Sequence, residues 1–244
     1  MSFFFKKILD TKKNGYIVKI IKKITLLKKL YYLIKAEIIK KITLQYPPYN
    51  RRFHNDLIKP SWDPIRYSTI ALAINSILRD KIQGSFAEFG VFRGETSKFI
   101  HLLAPGKRLY LFDTFEGFPE EYLEDKNEAK RFKNTKLEIV KKNIGDLNNV
   151  IIRKGIFPET TKGLETEKFS FVYIDADLYI SILDGLRFFY PRISQGGYLF
   201  IHDYNNPQES NAGVLRAVRE FMADKEEKIL EIPDILGSIV FRKI

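Results

Sequence analysis

Phe86-Ala87-Glu88-Phe89-Gly90-Val91-Phe92-Arg93-Gly94-Glu95-Thr96-Ser97 is the stretch whose reading decides the fold. An apolar run short enough for a buried strand, Ser85 to Phe89, ends in a turn carrying two glycines. A helical pattern then runs from Thr96 to Leu103. A second strand, Arg108 to Phe112, ends at Asp113. A third, Phe171 to Ile174, ends at Asp175, and a fourth, Gly197 to Ile201, ends at His202-Asp203. Four strand ends therefore carry groups suited to ligand chemistry. In an open α/β sheet, ligands bind beyond the carboxyl ends of the strands.

Working outward, strands and helices alternate. Asp63-Pro64 opens a helix that runs to about Arg79, with Asp63 as N-cap and Pro64 in the first turn. A charged helical stretch lies near Glu120 to Asn143, a strand at Val150 to Lys154, and helices at Ile180 to Tyr190 and Val214 to Ala223. The tail from Ile229 to Arg242 reads as two short strands joined at Asp234 to Gly237, an antiparallel hairpin at the sheet edge. This order predicts an α/β fold built on a doubly wound, mostly parallel sheet.

The charge of the chain is unevenly placed. Residues 1–45 hold 12 lysines against Asp10 and Glu37, so they carry +10 of the net +11. The other 199 residues are nearly neutral, which argues against a broad face for nucleic acid. Ile17, Ile20, Ile21, Ile24, Leu27, Tyr31, Ile34 and Ile38 recur at helical steps, with lysines mostly off that stripe. Three readings stand: a helix packed on its own domain or on a partner subunit, a basic helix on an anionic membrane surface, or an RNA-binding arm. Tyr46-Pro47-Pro48-Tyr49-Asn50 ends the segment, so we expect a basic amphipathic segment at 1–45 and a catalytic domain at 46–244. No cysteine is present, which excludes disulfides, thiolate metal sites and a cysteine nucleophile. Neither a signal-peptide pattern nor an apolar run of about 18 residues is found, so the expected location is cytoplasmic, with peripheral contact at the inner membrane surface through residues 1–45.

The residues at the strand ends narrow the chemistry. Gly90 and Gly94 are four apart, not the G-x-G-x-x-G of dinucleotide binders, and let the backbone approach a ligand. Glu88 suits a ligand ammonium or a backbone amide. Asp113 stands where an acid takes ribose hydroxyls. Strand, glycine turn, helix, strand and acid, without a pyrophosphate fingerprint, favour S-adenosylmethionine over NAD. Asp175 and Asp203 end strands expected to be neighbours, so their carboxylates can converge on one cation. Such a cation would hold a substrate hydroxyl and lower its pKa. Asp177 either assists or caps the helix near Ile180. His101 reads as structural, His54 as a loop residue that either contacts substrate or has no role, and Trp62 and Tyr67 as ordinary packing or as a cover over the cofactor. Tyr122 and the charged stretch from Glu120 to Lys142 read as a lid.

The ordered motifs resemble the macrocin-type sugar O-methyltransferase family. The likeness is carried by Ala87 to Gly94, by Leu111-Phe112-Asp113-Thr114-Phe115-Glu116-Gly117-Phe118-Pro119 and by Gly155-Ile156-Phe157-Pro158-Glu159-Thr160. It continues through Ile174-Asp175-Ala176-Asp177-Leu178-Tyr179, Tyr190-Pro191-Arg192, Gly196-Gly197, His202-Asp203-Tyr204 and the tail from Pro233 to Phe241. It spans roughly Trp62 to Ile244 and implies a Rossmann-like class I methyltransferase that uses S-adenosylmethionine on a sugar-containing acceptor, as a homo-oligomer. It further implies that Glu88, Gly90, Arg93, Gly94 and Ser97 line the methionine end of the cofactor, with Asp113, Thr114 and Phe115 at the ribose.

The resemblance also implies a divalent metal, magnesium or manganese, on one aspartate and a following Asp-Asp pair. Asp175 matches the first position, but the pair position reads His202-Asp203. Imidazole suits manganese, iron or zinc better than magnesium. Either the metal differs, held by Asp175, His202 and Asp203, or the site is metal-free with His202 as base. In either case Asp175 or His202 removes the hydroxyl proton. The expected function is O-methylation of a sugar in a bacterial glycoconjugate, polysaccharide or glycosylated metabolite. The competing readings are a methyltransferase for catechol-like or RNA acceptors, and a non-catalytic membrane-associated scaffold.

Overall fold

In a computed structural model, the structure describes residues 63–118, 122–123, 132–206 and 212–244. The basic segment, the boundary at Tyr46 to Asn50, His54, Trp62 and the middle of the lid stretch lie outside the described residues. Helix α1 (Pro64–Arg79) leads into β1 (Ser85–Phe89), α2 (Glu95–Leu103), β2 (Leu109–Asp113), α3 (Leu137–Ile144) and β3 (Val150–Lys154). Next come β4 (Phe169–Ile174), α4 (Tyr179–Phe189), β5 (Ile193–Ile201), α5 (Ala212–Met222), β6 (Leu230–Ile232) and β7 (Ser238–Arg242). The strands form one seven-stranded sheet in the order β3-β2-β1-β4-β5-β7-β6. The first five run parallel, while β7 pairs antiparallel with β5 and with β6.

This order places β1 and β4 at the centre, where all residues of both strands are buried. Burial on both faces explains their near-continuous apolar character. Ala87, Phe89, Val172 and Ile174 belong to the large core cluster, which also takes in Ile182, Leu186 and Phe189 of α4. Aromatic rings fill this side. Phe89 stacks on Phe157 at 4.2 Å between centroids, and Phe112 meets Phe189 edge-on at 5.7 Å. Each such pair adds about 0.5–1.5 kcal/mol beyond its buried area. On the opposite face, Tyr67 of α1 packs edge-on against Phe99 of α2 at 4.9 Å.

Two elements differ from the sequence reading for identifiable reasons. Strand β5, read from the sequence as Gly197 to Ile201, begins four residues earlier at Ile193 and runs through Gly196-Gly197. Gly197 is needed inside the strand because a Cβ there would lie 2.9 Å from the Ser170 carbonyl oxygen. Within the charged stretch from Glu120 to Asn143, the described helix covers only Leu137–Ile144. Turn residues 132–134 precede it, and Thr135 donates to the Phe92 carbonyl oxygen.

The start of α1 is fixed as its residues dictate. Asp63 Oδ1 accepts the Arg66 backbone N–H at 3.1 Å, and Pro64 occupies the first turn. Asp63 Oδ2 also accepts the Ile235 N–H at 3.1 Å, tying α1 to the β6–β7 turn.

Gly90 is where the crevice is made. Its φ is +88°, and an added Cβ would stand 1.9 Å from the Asp175 carbonyl oxygen. The exit of β1 thus lies against the exit of β4. Gly90→Ala must push two central strands apart, so we expect it to lower the melting temperature by about 10 °C or more. A thermal melt that matched wild type would contradict this packing.

The far end of the sheet is tied by charge. Buried Glu227 accepts from Tyr190 Oη and Lys243 Nζ. Burial alone would raise its pKa, but these two donors hold it down at about 2, against an ordinary 4.5. A depressed carboxylate pKa stabilises the fold above pH 4.5, and that stabilisation is lost as pH falls toward 2. Glu227→Gln should therefore be less stable than wild type at pH 7 and lose less on acidification across that window, as read by melts in a pH series.

Candidate active site

A cavity of about 620 Å³ opens beyond the carboxyl ends of β1, β2, β4 and β5. It sits at the switch point between β1 and β4, where the order of strands reverses. Among the described residues its wall contains six acids, Glu88, Glu95, Asp113, Asp175, Asp177 and Asp203, against Arg66, Arg93 and His202. Among the described residues, four of its non-glycine lining residues, Phe92, Phe132, Asp177 and Asp203, have φ between 50° and 62°. Such left-handed backbone costs about 1–3 kcal/mol per residue and gathers at functional sites.

At the β1 end, Glu88 is buried and accepts from Ser97 Oγ. Burial pushes its carboxyl well above the usual range, and the neighbouring charges of Asp175, Asp113 and Glu95 push the same way. A cationic ligand group would reverse that. Ser97, predicted to touch the cofactor, is instead buried behind Glu88 and orients it. Gly94, predicted to let a ligand approach, caps α2 in left-handed geometry, and a Cβ there would lie 3.0 Å from Val140 of α3. It serves helix packing. Arg93 does line the cavity, with its guanidinium 5.0 Å from the Phe92 ring centroid. Among the described residues its buried Nε has no hydrogen-bond partner.

Asp113 is the last residue of β2 and faces the cavity. Oδ2 accepts the N–H groups of Val91 at 2.7 Å and Phe92 at 3.0 Å, and Oδ1 accepts that of Phe115 at 2.6 Å. Burial raises its pKa while these N–H groups lower it. Asp113 therefore shapes the glycine turn as well as facing a ligand, and Oδ1 keeps acceptor capacity for one hydroxyl. Thr114 lines the cavity and donates to the Gly117 carbonyl oxygen at 2.5 Å. Phe115 is buried away from the lining, so only its backbone serves the site.

At the β4 and β5 ends, Asp175, His202 and Asp203 converge. His202 Nδ1 lies 3.2 Å from Asp175 Oδ1 and 3.0 Å from Asp203 Oδ1. On the other side of the ring, Nε2 lies 2.9 Å from Arg66 Nη1, which is also 3.4 Å from Tyr173 Oη. Burial works against charge on Asp175, but His202 and Arg66 hold its carboxyl below the usual range. Burial likewise disfavours the imidazolium, yet Asp175 and Asp203 outweigh it and raise the ring pKa above its ordinary value. Arg66 opposes that, because a guanidinium only donates and Nε2 must offer it a lone pair. The 2.9 Å contact thus selects the form of the ring with its proton on Nδ1 and its lone pair on Nε2, and drawing Arg66 aside makes Nε2 more basic. Asp177, read as either assisting the chemistry or capping a helix, lines the cavity and does not cap α4, whose N-cap is Leu178 without a side-chain bond.

The implied divalent cation can be tested on the same geometry. Ligand atoms of Asp175, His202 and Asp203 lie within 4.8 Å of one another, which suits an ion by distance. The protons do not suit it. A metal on Nδ1 needs the lone pair there, which moves the N–H to Nε2 and sets it against Arg66 at 2.9 Å. The guanidinium also adds positive charge beside Asp175. His202 does not fit as a metal ligand with Arg66 in place.

Arg66 and Tyr173 were missed by sequence reasoning, Arg66 because a helical arginine looks like solvated surface. Its only signal is nearness to the Asp63-Pro64 cap that docks α1. His101 is structural as expected: buried, 4.0 Å from Asp146, with its pKa lowered by burial. Tyr122 lines the cavity and donates to the Phe157 carbonyl oxygen at 3.3 Å.

Comparison with known proteins follows the same lines. A family model described as Macrocin-O-methyltransferase (TylF) matches residues 64–242. The chain is 31% identical over 156 residues to the 8-demethyl-8-(2,3-dimethoxy-alpha-L-rhamnosyl)-tetracenomycin-C 4'-O-methyltransferase of Streptomyces olivaceus, covering 57% of this chain and 60% of that one. It is 28% identical over 162 residues to the Mycinamicin III 3''-O-methyltransferase of Micromonospora griseorubida, covering 58% and 63%. The match thus spans about three fifths of these relatives. The solved structure of the O-methyltransferase NovP superposes with a TM-score of 0.65 at 21% identity, over 88% of this chain and 98% of that one, and speaks to the fold.

Proposed function

The chain belongs to the macrocin O-methyltransferase family, and from that premise we propose that it transfers the S-methyl group of S-adenosylmethionine to a hydroxyl of a sugar-containing acceptor. The observation that carries this reading is the acid-rich crevice at the β1–β4 switch point, which suits a cofactor bearing a sulfonium and an ammonium and repels a pyrophosphate. Buried Glu88 takes the ammonium and regains its charge by doing so. The unpartnered Arg93 Nε faces the methionine carboxylate, and Asp113 Oδ1 accepts one ribose hydroxyl. Support for a sugar acceptor comes from the tetracenomycin relative, whose name gives a rhamnosyl group and a 4' oxygen, while the mycinamicin relative's name gives a 3'' oxygen.

When bound, the cofactor supplies an electrophilic methyl group on sulfur. The chain's own part is to orient the hydroxyl and remove its proton. Asp175 and Asp203 hold the His202 ring with its proton on Nδ1, leaving Nε2 as acceptor. As the hydroxyl displaces Arg66 from Nε2, the ring takes its proton. That would leave on the oxygen the electron pair that the cofactor's sulfonium methyl accepts in exchange for the one it returns to sulfur. Such base catalysis contributes roughly 10²–10⁴-fold.

The test is transfer of labelled methyl from S-adenosylmethionine to a panel of rhamnosyl and related deoxysugar acceptors, with catechol and RNA as controls. Label in a sugar ether supports the reading. Label only in catechol or RNA, or none at all, overturns it.

A further inference from the structure

We infer that Arg66 supplies the positive charge at the acceptor oxygen that a divalent cation would otherwise supply, so that methyl transfer by this chain is independent of metal. The inference rests on the O-methyl transfer reading, but its first test does not.

Arg66 is held where such a charge is wanted. Its backbone N–H is capped by Asp63, and its Nε lies 3.9 Å from Asp63 Oδ2, so α1 aims the side chain across the crevice. Nη1 ends 2.9 Å from His202 Nε2, the atom that takes the acceptor proton, and 3.4 Å from Tyr173 Oη. An oxygen entering between Nη1 and Nε2 meets a donor on one side and a proton acceptor on the other. As its proton moves to His202, the guanidinium faces the growing negative charge. Arg66 Nε is buried without a hydrogen-bond partner among the described residues.

The same placement disfavours a cation. Among the described residues, two groups of acids and histidine lie close enough to hold an ion: Asp175, His202 and Asp203, and Asp63, His202 and Asp234. Both share His202. Arg66 lies against the first through His202 Nε2 and against the second through Asp63. An ion in either group would sit beside a guanidinium that cannot lose its proton.

Two measurements on the full chain decide the matter. Manganese titration followed by electron paramagnetic resonance, with S-adenosylhomocysteine present, reads metal binding without any acceptor. No site tighter than about 1 mM is expected. Stoichiometric binding abolished by Asp175→Asn would overturn the inference. In the second, the wild-type assay is run after exhaustive chelation and then with Arg66→Gln and Arg66→Lys. Wild-type turnover should survive chelation. Arg66→Gln should lose about 10²–10³ in kcat with KM for the cofactor nearly unchanged, and Arg66→Lys should recover part of it. Chelation that stops the wild type until manganese is restored, or Arg66→Gln with wild-type kcat, would overturn the inference. A wild type that methylates no sugar defeats the function reading instead, and the manganese titration still decides the metal question.

Discussion

His202→Ala is expected to reduce kcat by about 10²–10⁴-fold while leaving cofactor affinity nearly unchanged. The ring is the only strong base at the junction of β4 and β5 among the described residues, and Asp175 and Asp203 fix its tautomer from one side. Removing it leaves two carboxylates facing Arg66, which can hold a hydroxyl but take its proton poorly. His202 is buried, so alanine also opens a small void. His202→Gln separates the two effects, since it fills the space and keeps polar contacts but lacks a basic ring nitrogen. Both variants should lose turnover, and glutamine should melt closer to wild type. Single-turnover transfer and calorimetry with S-adenosylhomocysteine read the split. A His202→Gln variant with wild-type kcat would remove the base from the mechanism.

Asp113→Ala is expected to weaken cofactor binding by at least about 100-fold, equivalent to about 2.8 kcal/mol. Two effects combine. The ribose loses an acceptor, and the N–H groups of Val91, Phe92 and Phe115 lose theirs. Each buried donor left without a partner costs about 1–3 kcal/mol, which the loops evade by moving away from the bound geometry. Asp113→Asn retains one acceptor oxygen and should fall between alanine and wild type. Calorimetric titration of each variant checks the order, and an alanine variant that binds like wild type would contradict both roles.

The sheet and the floor of the site were legible because both depend on local signals. Short apolar runs ending in Glu88-Phe89-Gly90, Asp113, Asp175 and His202-Asp203 place their polar residues at strand ends whatever the loops do. What the spacing left open was what each residue touches. Gly94 and Ser97 lie in the motif with Gly90 and Glu88, yet one packs on Val140 and the other orients Glu88. The Gly94 contact is set by α3, which is distant in sequence. Arg66 was invisible for the same reason: it meets His202 across 136 residues, and only the docking of α1 on the sheet brings them together. The metal expectation turned on that missing contact. Asp175, His202 and Asp203 converge as the strand order requires, but the lone pairs of the imidazole are assigned by an arginine that no motif announces.

The most direct measurement is a crystal structure of the full chain grown with S-adenosylhomocysteine. Density is expected in the crevice between β1 and β4, with the amino group at Glu88, the ribose at Asp113 and the sulfur facing His202 across a space the size of a sugar hydroxyl. A ligand bound elsewhere, or one in that crevice with its sulfur turned away from His202, would contradict the assignment.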